Sequence, residues 1–376
     1  MEALNKALFS LLRNEIDNTP LPDGLDFNIE ELFSLAKKQD LSHLIIDAAI
    51  KNGLVKKDSK YEEQIILAVF RYKQQHHEYQ RICECFQKNS ITFVPLKGIL
   101  IRDYYSEPWM RTSCDLDILI HEEDLEAAKK ALLELGFVTD EVRNYHDFSF
   151  YAGDTHLELH FSICERNEQL DSVLRNVWDY VEQYKGFEYR ENGAFFMFHH
   201  LAHMVYHFLF GGCGIKPVLD WWVLRNKFQY DEAELLELLD KCHLTAFYKN
   251  VCLLSEVWFG NGEHNETTLK LEKNIIESGM YGSPNRPAAG IALYKGSKFK
   301  YKLSIAFPSY INMCLYYPSL RKHKILLPFC YLHRFFSKVF GKKGKEARER
   351  VKTIDNCSKE EIHEFSSLIN ELGIMY

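Results

Sequence analysis

Two aspartates, Asp115 and Asp117, stand two positions apart in a short apolar run that reaches Ile120. Residues two apart on a β-strand share a face, so the run predicts both carboxylates on one side, about 6.6 Å apart, and Leu116 and Ile118 in the core. At an effective dielectric of ~20 their repulsion costs about 2.5 kcal/mol, and a bound cation would reverse its sign. Oxygen ligands suit Mg²⁺ or Mn²⁺ rather than zinc. The alternative is a strand end with two solvated aspartates.

A third carboxylate lies in a second alternating segment. In His156-Leu-Glu158-Leu-His160 the two leucines face one side of a predicted strand, and the histidines and Glu158 face the other. Acidic side chains on neighbouring strands hold two divalent ions in many phosphoryl and nucleotidyl transfers. Glu158 could therefore join the two aspartates around the same ions. The alternative is an amphipathic hairpin with a polar outer face.

A candidate phosphate site precedes the aspartates. The strand-like residues 91–95 (ITFVP) run into Lys97 and Gly98, and residues 98–105 favour a short helix. A helix that begins at a glycine presents free backbone N–H groups to a phosphate. Lys97 and Arg111 could add positive charge. By itself, a Lys-Gly pair ahead of a helix is weak evidence.

The order of these segments resembles a known superfamily, the nucleotidyltransferases that include DNA polymerase β. The segments are, in chain order, a strand, Lys97-Gly98, a helix, Arg111-x-Ser-x-Asp115-x-Asp117, a second helix and a strand that carries Glu158. Over residues 30–335 the chain is more closely similar to a large group of uncharacterised bacterial nucleotidyltransferase-like proteins. That group shares the helical N-terminal region, the LKG segment, the R-x-x-x-D-x-D strand and the E-L-H strand. Residues 203–220 also look like its downstream region.

The resemblance implies a reaction and a set of site residues. Asp115 and Asp117 would hold Mg²⁺ or Mn²⁺ against the triphosphate of an NTP such as ATP, and Glu158 would complete the metal site at the incoming acceptor hydroxyl. The acceptor stays open among a small molecule, a saccharide, a tRNA and a protein. Ile99 departs from the superfamily, which usually has a second small residue there, and would crowd the triphosphate. The residues expected to bind the nucleotide are Lys97, Gly98, Arg111, His160 and Lys216.

Four histidines in the predicted helix 195–210 suggest other chemistry. His199, His203 and His207 are spaced at i, i+4 and i+8, which places them on one helix face. That face could line the substrate cleft, pack in the core or bind a transition metal. A metal-dependent phosphohydrolase built on His203, His207 and Asp220 is therefore a competing hypothesis. The other competing hypothesis is a catalytically degenerate protein that binds a nucleotide or a partner.

The elements that must position these residues predict an α+β fold. Residues 1–89 carry apolar residues at helical spacing, residues 90–185 alternate short strands with helices, and residues 186–376 are mainly helical again. The sequence thus predicts a small mixed-sheet nucleotidyltransferase core between an N-terminal and a C-terminal helical region. Residues 291–350 are basic and aromatic. They could bind an anionic acceptor such as RNA, lie on an anionic membrane surface, or form a solvated face.

Composition narrows the class of protein. The 376 residues are 46% hydrophobic and 26% charged, which argues against disorder, and the net charge of −7 argues against a general nucleic-acid coat. The ten cysteines form no C-x-x-C pair, so a disulfide scaffold or zinc ribbon is not expected. Reduced thiols, an N-terminus without a signal sequence and the lack of an 18-residue apolar run predict a cytoplasmic protein without a transmembrane segment.

Overall fold

The predicted α+β class is confirmed in the computed structural model, where helices surround one seven-stranded sheet. The structure describes residues 2–280 apart from 58, 144, 145, 166 and 211, together with 323–340, 358–375 and the single positions 299, 307, 310, 313, 317 and 320. The strands are β1 (Phe93–Pro95), β2 (Asp115–Ile120), β3 (Val138–Arg143), β4 (Asp147–Ala152), β5 (Thr155–His160), β6 (Val181–Lys185) and β7 (Glu188–Glu191).

The described helices lie on both sides of this strand-rich block in the sequence. Before and within it they are α1 (Glu2–Asp17), α2 (Ile29–Lys38), α3 (Ser42–Lys51), α4 (Ser59–Lys88), α5 (Gly98–Ile101), α6 (Leu125–Glu134) and α7 (Glu168–Leu174). After it they are α8 (Gly193–Phe210), α9 (Lys216–Lys227), α10 (Glu232–Lys241), α11 (Thr245–Phe259), α12 (Glu266–Ser278), α13 (Leu327–Phe340) and α14 (Lys359–Glu371).

Helix α2 illustrates why the N-terminal segments are helical. The side chain of Asn28 accepts hydrogen bonds from the N–H groups of Glu30 and Glu31, which caps the first turn. Acidic residues in that turn and lysines in the last turn both interact favourably with the helix dipole and stabilise the helix. Leu32 and Ala36, four residues apart, bury the apolar face. Local signals and core packing therefore favour the same structure.

The sheet places β2 at its centre. The strand order is β3-β4-β5-β2-β1-β7-β6, with β2 parallel to β5 and antiparallel to β1. Strands β4 and β5 form an antiparallel hairpin around Gly153, which has a φ of 57°. Because β2 and β5 are neighbours, the D-x-D and E-L-H segments lie side by side.

One face of the central strands is core and the other is polar. Leu116, Ile118, Leu157 and Leu159 are 0% exposed and pack into the main apolar cluster. Burial of one such side chain contributes about 1.5–3 kcal/mol. A one-residue slip of either strand would move these side chains to the polar face, so core packing fixes the strand register. That register in turn places the acidic residues.

Helix α8 is the central element of the C-terminal region. It is apolar on nearly every side and most of its residues are buried, as expected for a helix inside a core. Helices α12 and α14 both begin with a capping box, and Lys270 of α12 pairs with Glu371 of α14 at 2.9 Å. None of the helices in the described part of the chain combines the length and the apolar character needed to cross a bilayer.

Three strands and helix α7 were not predicted from the sequence. The outer strand β6 is exposed along most of its length, and its residues VEQYK show no apolar alternation. Strand β3 (VTDEVR) is similarly polar, and the sheet extends through β7 to Glu191, past the predicted core boundary at residue 185. Most of the predicted basic segment 291–350 lies outside the described residues, so its contact with an anionic surface stays a prediction.

Candidate active site

The three predicted carboxylates meet on the polar face of the sheet. In the parallel β2–β5 pair, Asp115 lies beside His156 and Asp117 lies beside Glu158. Ligand atoms of Asp115, His156 and Glu158 lie within 4.8 Å of one another, as do those of Asp117, Glu158 and His160. Glu158 is therefore turned towards both aspartates. Such a set of carboxylate oxygens fits a hard divalent cation.

The crowding of the carboxylates disturbs the ionisation of Asp115. Burial, together with the negative charges of Asp117 and Glu158, raises the pKa of Asp115 to about 6. The hydroxyl of Ser113 donates to Asp115 Oδ1 at 3.1 Å and offsets part of this effect. A carboxylate held above its usual pKa by like charges would be stabilised by a cation. The repulsion among these carboxylates is therefore what is expected of a cation-binding site.

His160 supplies positive charge to the same face. Its Nε2 donates to Asp117 Oδ1 at 3.0 Å and lies 3.6 Å from Glu158 Oε2. Burial by itself would lower the pKa of His160, but the hydrogen bonds to the two carboxylates outweigh it and raise the pKa to about 9. Burial likewise opposes ionisation of Asp117, yet the contact with His160 lowers the pKa of Asp117 below its usual value. His160 therefore holds Asp117 ionised.

The same cavity is also lined by Lys97 and a pair of histidines. Lys97 Nζ lies 2.9 Å from His203 Nδ1, which is also 2.9 Å from Glu165 Oε1, and the Nε2 atoms of His203 and His207 are 2.8 Å apart. Burial and the charge of Lys97 lower the pKa of His203 well below its usual value. A neutral Nδ1 either accepts from Lys97 or donates to Glu165, so the two contacts belong to different tautomers.

The turn after β1 brings Lys97 to the aspartates. The N–H of Leu96 donates to the carbonyl of Asp117 at 2.9 Å, and Lys97 has a φ of 37°, a left-handed value that non-glycine residues adopt at a cost of order 1–3 kcal/mol. The sequence predicts free N–H groups after this turn, and the structure corrects that prediction for three of them. The N–H groups of Ile99, Leu100 and Ile101 donate to the carbonyls of Leu96 and Lys97, because the hydrogen-bonded turn already begins at these two residues.

Gly98 lines the cavity and is also required by a close side chain. A Cβ at this position would overlap the guanidinium of Arg111. Ile99, which the sequence analysis expected to crowd the nucleotide, is only 7% exposed and packs in the apolar core. It does not line the cavity that contains the carboxylates. Crowding at this turn would therefore come from position 98 and not from position 99.

Arg111, predicted to bind the nucleotide, is held by a buried carboxylate. Its Nη2 lies 3.1 Å from Asp220 Oδ2, and the hydroxyl of Tyr105 donates to Asp220 Oδ1 at 2.7 Å. Burial opposes ionisation of Asp220, but Arg111 and the polar contacts lower the pKa of Asp220 below its usual value. Asp220 thus neutralises Arg111, and within the described residues it forms no metal-ligand group with His203 and His207, which the phosphohydrolase hypothesis requires.

Lys216, the third predicted cation, is also bound within the protein. Its Nζ donates to Asp40 Oδ2 at 2.6 Å and to the carbonyl of Thr112 at 2.9 Å. Burial opposes ionisation of Asp40, while the charge of Lys216 and their hydrogen bond lower the pKa of Asp40. Among the described residues Lys97 forms no ion pair with a carboxylate, so it is the predicted cation that is best able to turn towards a phosphate.

The histidines predicted to share one face of α8 lie partly in the core and partly in the cavity. His199 is 1% exposed and its Nδ1 lies 2.7 Å from Glu191 Oε1, so it belongs to the core and not to the site. His203 and His207 line the cavity, together with His200, whose Nε2 donates to the carbonyl of Pro217. In the described part of the chain neither His203 nor His207 belongs to a group of three metal-ligand side chains. This arrangement disfavours the phosphohydrolase.

Several residues of the site were not found by sequence reasoning. Asp40 lies two residues after α2, Tyr105 lies in the turn after α5, His146 directly precedes β4, and Glu165 lies in the loop after β5. None of them lies in a motif with recognisable spacing, since each reaches the site through long-range packing. Together with the predicted residues, the side chains around the acidic cluster enclose a cavity of about 380 Å³. That volume suits a small-molecule substrate.

Comparison with known proteins agrees with this geometry. A sequence model of the family described as uncharacterised nucleotidyltransferase matches residues 26–260, which is more than half of the chain. This range includes every carboxylate and cation of the site described above. Searches of the curated proteins and of the solved structures found no match. The chain therefore belongs to the uncharacterised nucleotidyltransferase family.

Proposed function

We propose that this protein is a nucleotidyltransferase that uses Mg²⁺ or Mn²⁺ to transfer an NMP from an NTP, such as ATP, to an acceptor hydroxyl. The observation that carries the proposal is the convergence of Asp115, Asp117 and Glu158 on one face of the sheet, beside Lys97. Membership of the nucleotidyltransferase family supports transfer of a nucleotidyl group in general. We also place the family in the superfamily that includes DNA polymerase β, and the protein in a bacterial cytoplasm.

The proposed chemistry divides between the acidic residues and Lys97. Asp115, Asp117 and Glu158 would hold the divalent ions, which when bound neutralise charge on the triphosphate and the leaving pyrophosphate. Lys97 would bind a non-bridging phosphate oxygen. The acceptor oxygen then bonds to the α-phosphorus, the bond from that phosphorus to the bridging oxygen breaks, and the hydroxyl proton passes to Glu158 or solvent. Positioning and charge stabilisation would supply most of the rate.

The position of a labelled phosphate in the NTP distinguishes nucleotidyl transfer from other reactions. The purified protein is incubated with a cell extract, Mg²⁺ or Mn²⁺ and an NTP labelled at either the α- or the γ-phosphate. We expect the α-label to enter an acceptor and the γ-label to leave as pyrophosphate. Incorporation of the γ-label would instead indicate a kinase. Tight NTP binding without release of pyrophosphate in any extract would support the degenerate binding protein.

Replacing Lys97 with methionine should weaken nucleotide binding. A hydrogen bond to a charged group contributes about 1.5–3 kcal/mol, so the Kd for a non-hydrolysable NTP should rise by roughly 10-fold or more. Calorimetry in the presence of Mg²⁺ measures this change. Lys130→Met is the matched control, because the Lys130 side chain on α6 is 80% exposed and should leave the Kd unchanged. Equal affinities for Lys97→Met and the unmodified protein would remove Lys97 from the phosphate site.

A further inference from the structure

A second group of ligand side chains lies at the open end of the β4–β5 hairpin. Asp147 and His160 are directly paired across the two strands, which places both side chains on the same face of the sheet. The ring of His146 stacks on that of His160 at 5.3 Å with an angle of 9°. One ligand atom from each of the three residues lies within 4.8 Å of the other two. Backbone pairing therefore assembles two imidazoles and a carboxylate at one point.

His160 gives an independent reason to expect a ligand there. Its side chain is buried, with the residue 5% exposed, and its Nε2 already donates to Asp117. Its other ring nitrogen, Nδ1, is buried without a hydrogen-bond partner in the described part of the chain. A buried polar atom left without a partner costs about 1–3 kcal/mol. A histidine that donates one ring N–H to a carboxylate and turns the other nitrogen to a metal is a recurrent arrangement in metalloproteins.

We propose that His146, Asp147 and His160 bind a divalent transition-metal ion, with Zn²⁺ the preferred ion, at a second site that adjoins the cradle of Asp115, Asp117 and Glu158 through His160. Imidazole nitrogens with one carboxylate are typical zinc ligands, whereas Mg²⁺ selects oxygen ligands. The zinc takes the place of the proton on Nδ1 of His160, and that proton passes to solvent.

The proposed zinc site has a structural consequence for its neighbours. Zinc would fix the ring of His160 and so the hydrogen bond that this ring donates to Asp117. It would also clamp the start of β4 to the end of β5. His203 and His207 provide a less suitable site, because within the described residues neither belongs to a group of three metal-ligand side chains and Lys97 Nζ lies 2.9 Å from His203 Nδ1. The zinc proposal does not depend on the proposed nucleotidyl transfer.

Cobalt absorption provides a direct test without any nucleotide. The full chain is stripped of metal and titrated with Co²⁺ in a large excess of Mg²⁺, which occupies the oxygen-only site. We expect the intense visible bands of a four- or five-coordinate Co²⁺ to saturate at one equivalent and to disappear when Zn²⁺ is added. The absence of saturable bands would overturn the proposal, whatever the outcome of the labelling experiment.

Single substitutions of the proposed ligands, with a matched histidine control, locate the bound metal. His146→Gln and Asp147→Asn should each weaken Co²⁺ binding by at least about 10- to 100-fold. His207→Gln is the control, since it makes the same substitution in the same cavity and should keep the bands. Thermal melting without metal identifies any variant that fails to fold, and two separate ligand variants guard against that outcome. Retention of the bands in His146→Gln and Asp147→Asn, or their loss in His207→Gln, would place the metal elsewhere.

Discussion

Asp115→Asn should abolish nucleotidyl transfer and at the same time stabilise the metal-free protein. Burial, together with the negative charges of Asp117 and Glu158, raises the pKa of Asp115 to about 6. A carboxyl group with a raised pKa in the folded state contributes stability at low pH that is lost as the pH rises through that value. Asparagine cannot ionise and still accepts a hydrogen bond from Ser113. We therefore expect a gain of about 1–2 kcal/mol in the free energy of unfolding near pH 8, and little change near pH 4.

The loss of activity has a separate physical reason. The introduced amide would supply a neutral oxygen where a divalent ion needs a charged one, so turnover should fall by at least about 100-fold. Mg²⁺ should raise the melting temperature of the unmodified protein and have a smaller effect on the variant. Denaturant unfolding at both pH values, melting with and without Mg²⁺, and release of pyrophosphate measure the three effects.

A surface carboxylate provides the control for this prediction. Glu123 lies shortly after β2 and is exposed, so Glu123→Gln removes a negative charge near the end of that strand without touching the cradle. It should change neither turnover nor the response to Mg²⁺. If Asp115→Asn retains full turnover, the metal cradle is wrongly assigned. If it loses both turnover and stability near pH 8, the residue is structural and the crowding argument fails.

The acidic cradle could be predicted because its signal is local. The alternation in Asp115-Leu-Asp117 and in Leu157-Glu158-Leu159 directly reports which side chains share a face of a strand. The parallel register that sets Asp117 beside Glu158 is not encoded in either segment. It depends on packing of the leucines and isoleucines of both strands against one core. The resemblance to a family suggested that the two segments belong together, and core packing explains how.

The roles of the predicted cations could not be derived from the same patterns. A single sequence shows that Arg111 and Lys216 are positively charged, but their partners Asp220 and Asp40 lie 109 and 176 positions away. The sequence therefore predicts that both cations bind a phosphate, whereas in the structure each is neutralised by a carboxylate. The outer strands were missed for a related reason. The residues of β6 are mostly exposed, and neither VEQYK of β6 nor VTDEVR of β3 shows an apolar periodicity.

Asp220→Ala should be among the most destabilising substitutions in the chain. Asp220 is 1% exposed and is the counter-ion of Arg111, whose side chain is only 12% exposed. Removal of one partner leaves a buried charge without compensation, which costs about 3–5 kcal/mol. The hydroxyl of Tyr105 would lose its acceptor as well. Denaturant unfolding should show a large fall in midpoint with an unchanged slope.

Replacing both charged residues distinguishes the electrostatic contribution of the ion pair to stability from the contribution of its packing. In Arg111→Met/Asp220→Leu no charge is left unpaired and much of the volume is kept, so most of the lost stability should return. Glu256→Ala is the control, because its pair with Arg225 is 3.5 Å long and partly exposed, and its removal should cost less than about 1 kcal/mol. If the double variant is as unstable as Asp220→Ala, packing rather than charge governs this site. If Asp220→Ala is as mild as Glu256→Ala, Arg111 finds another partner and is free to reach a phosphate.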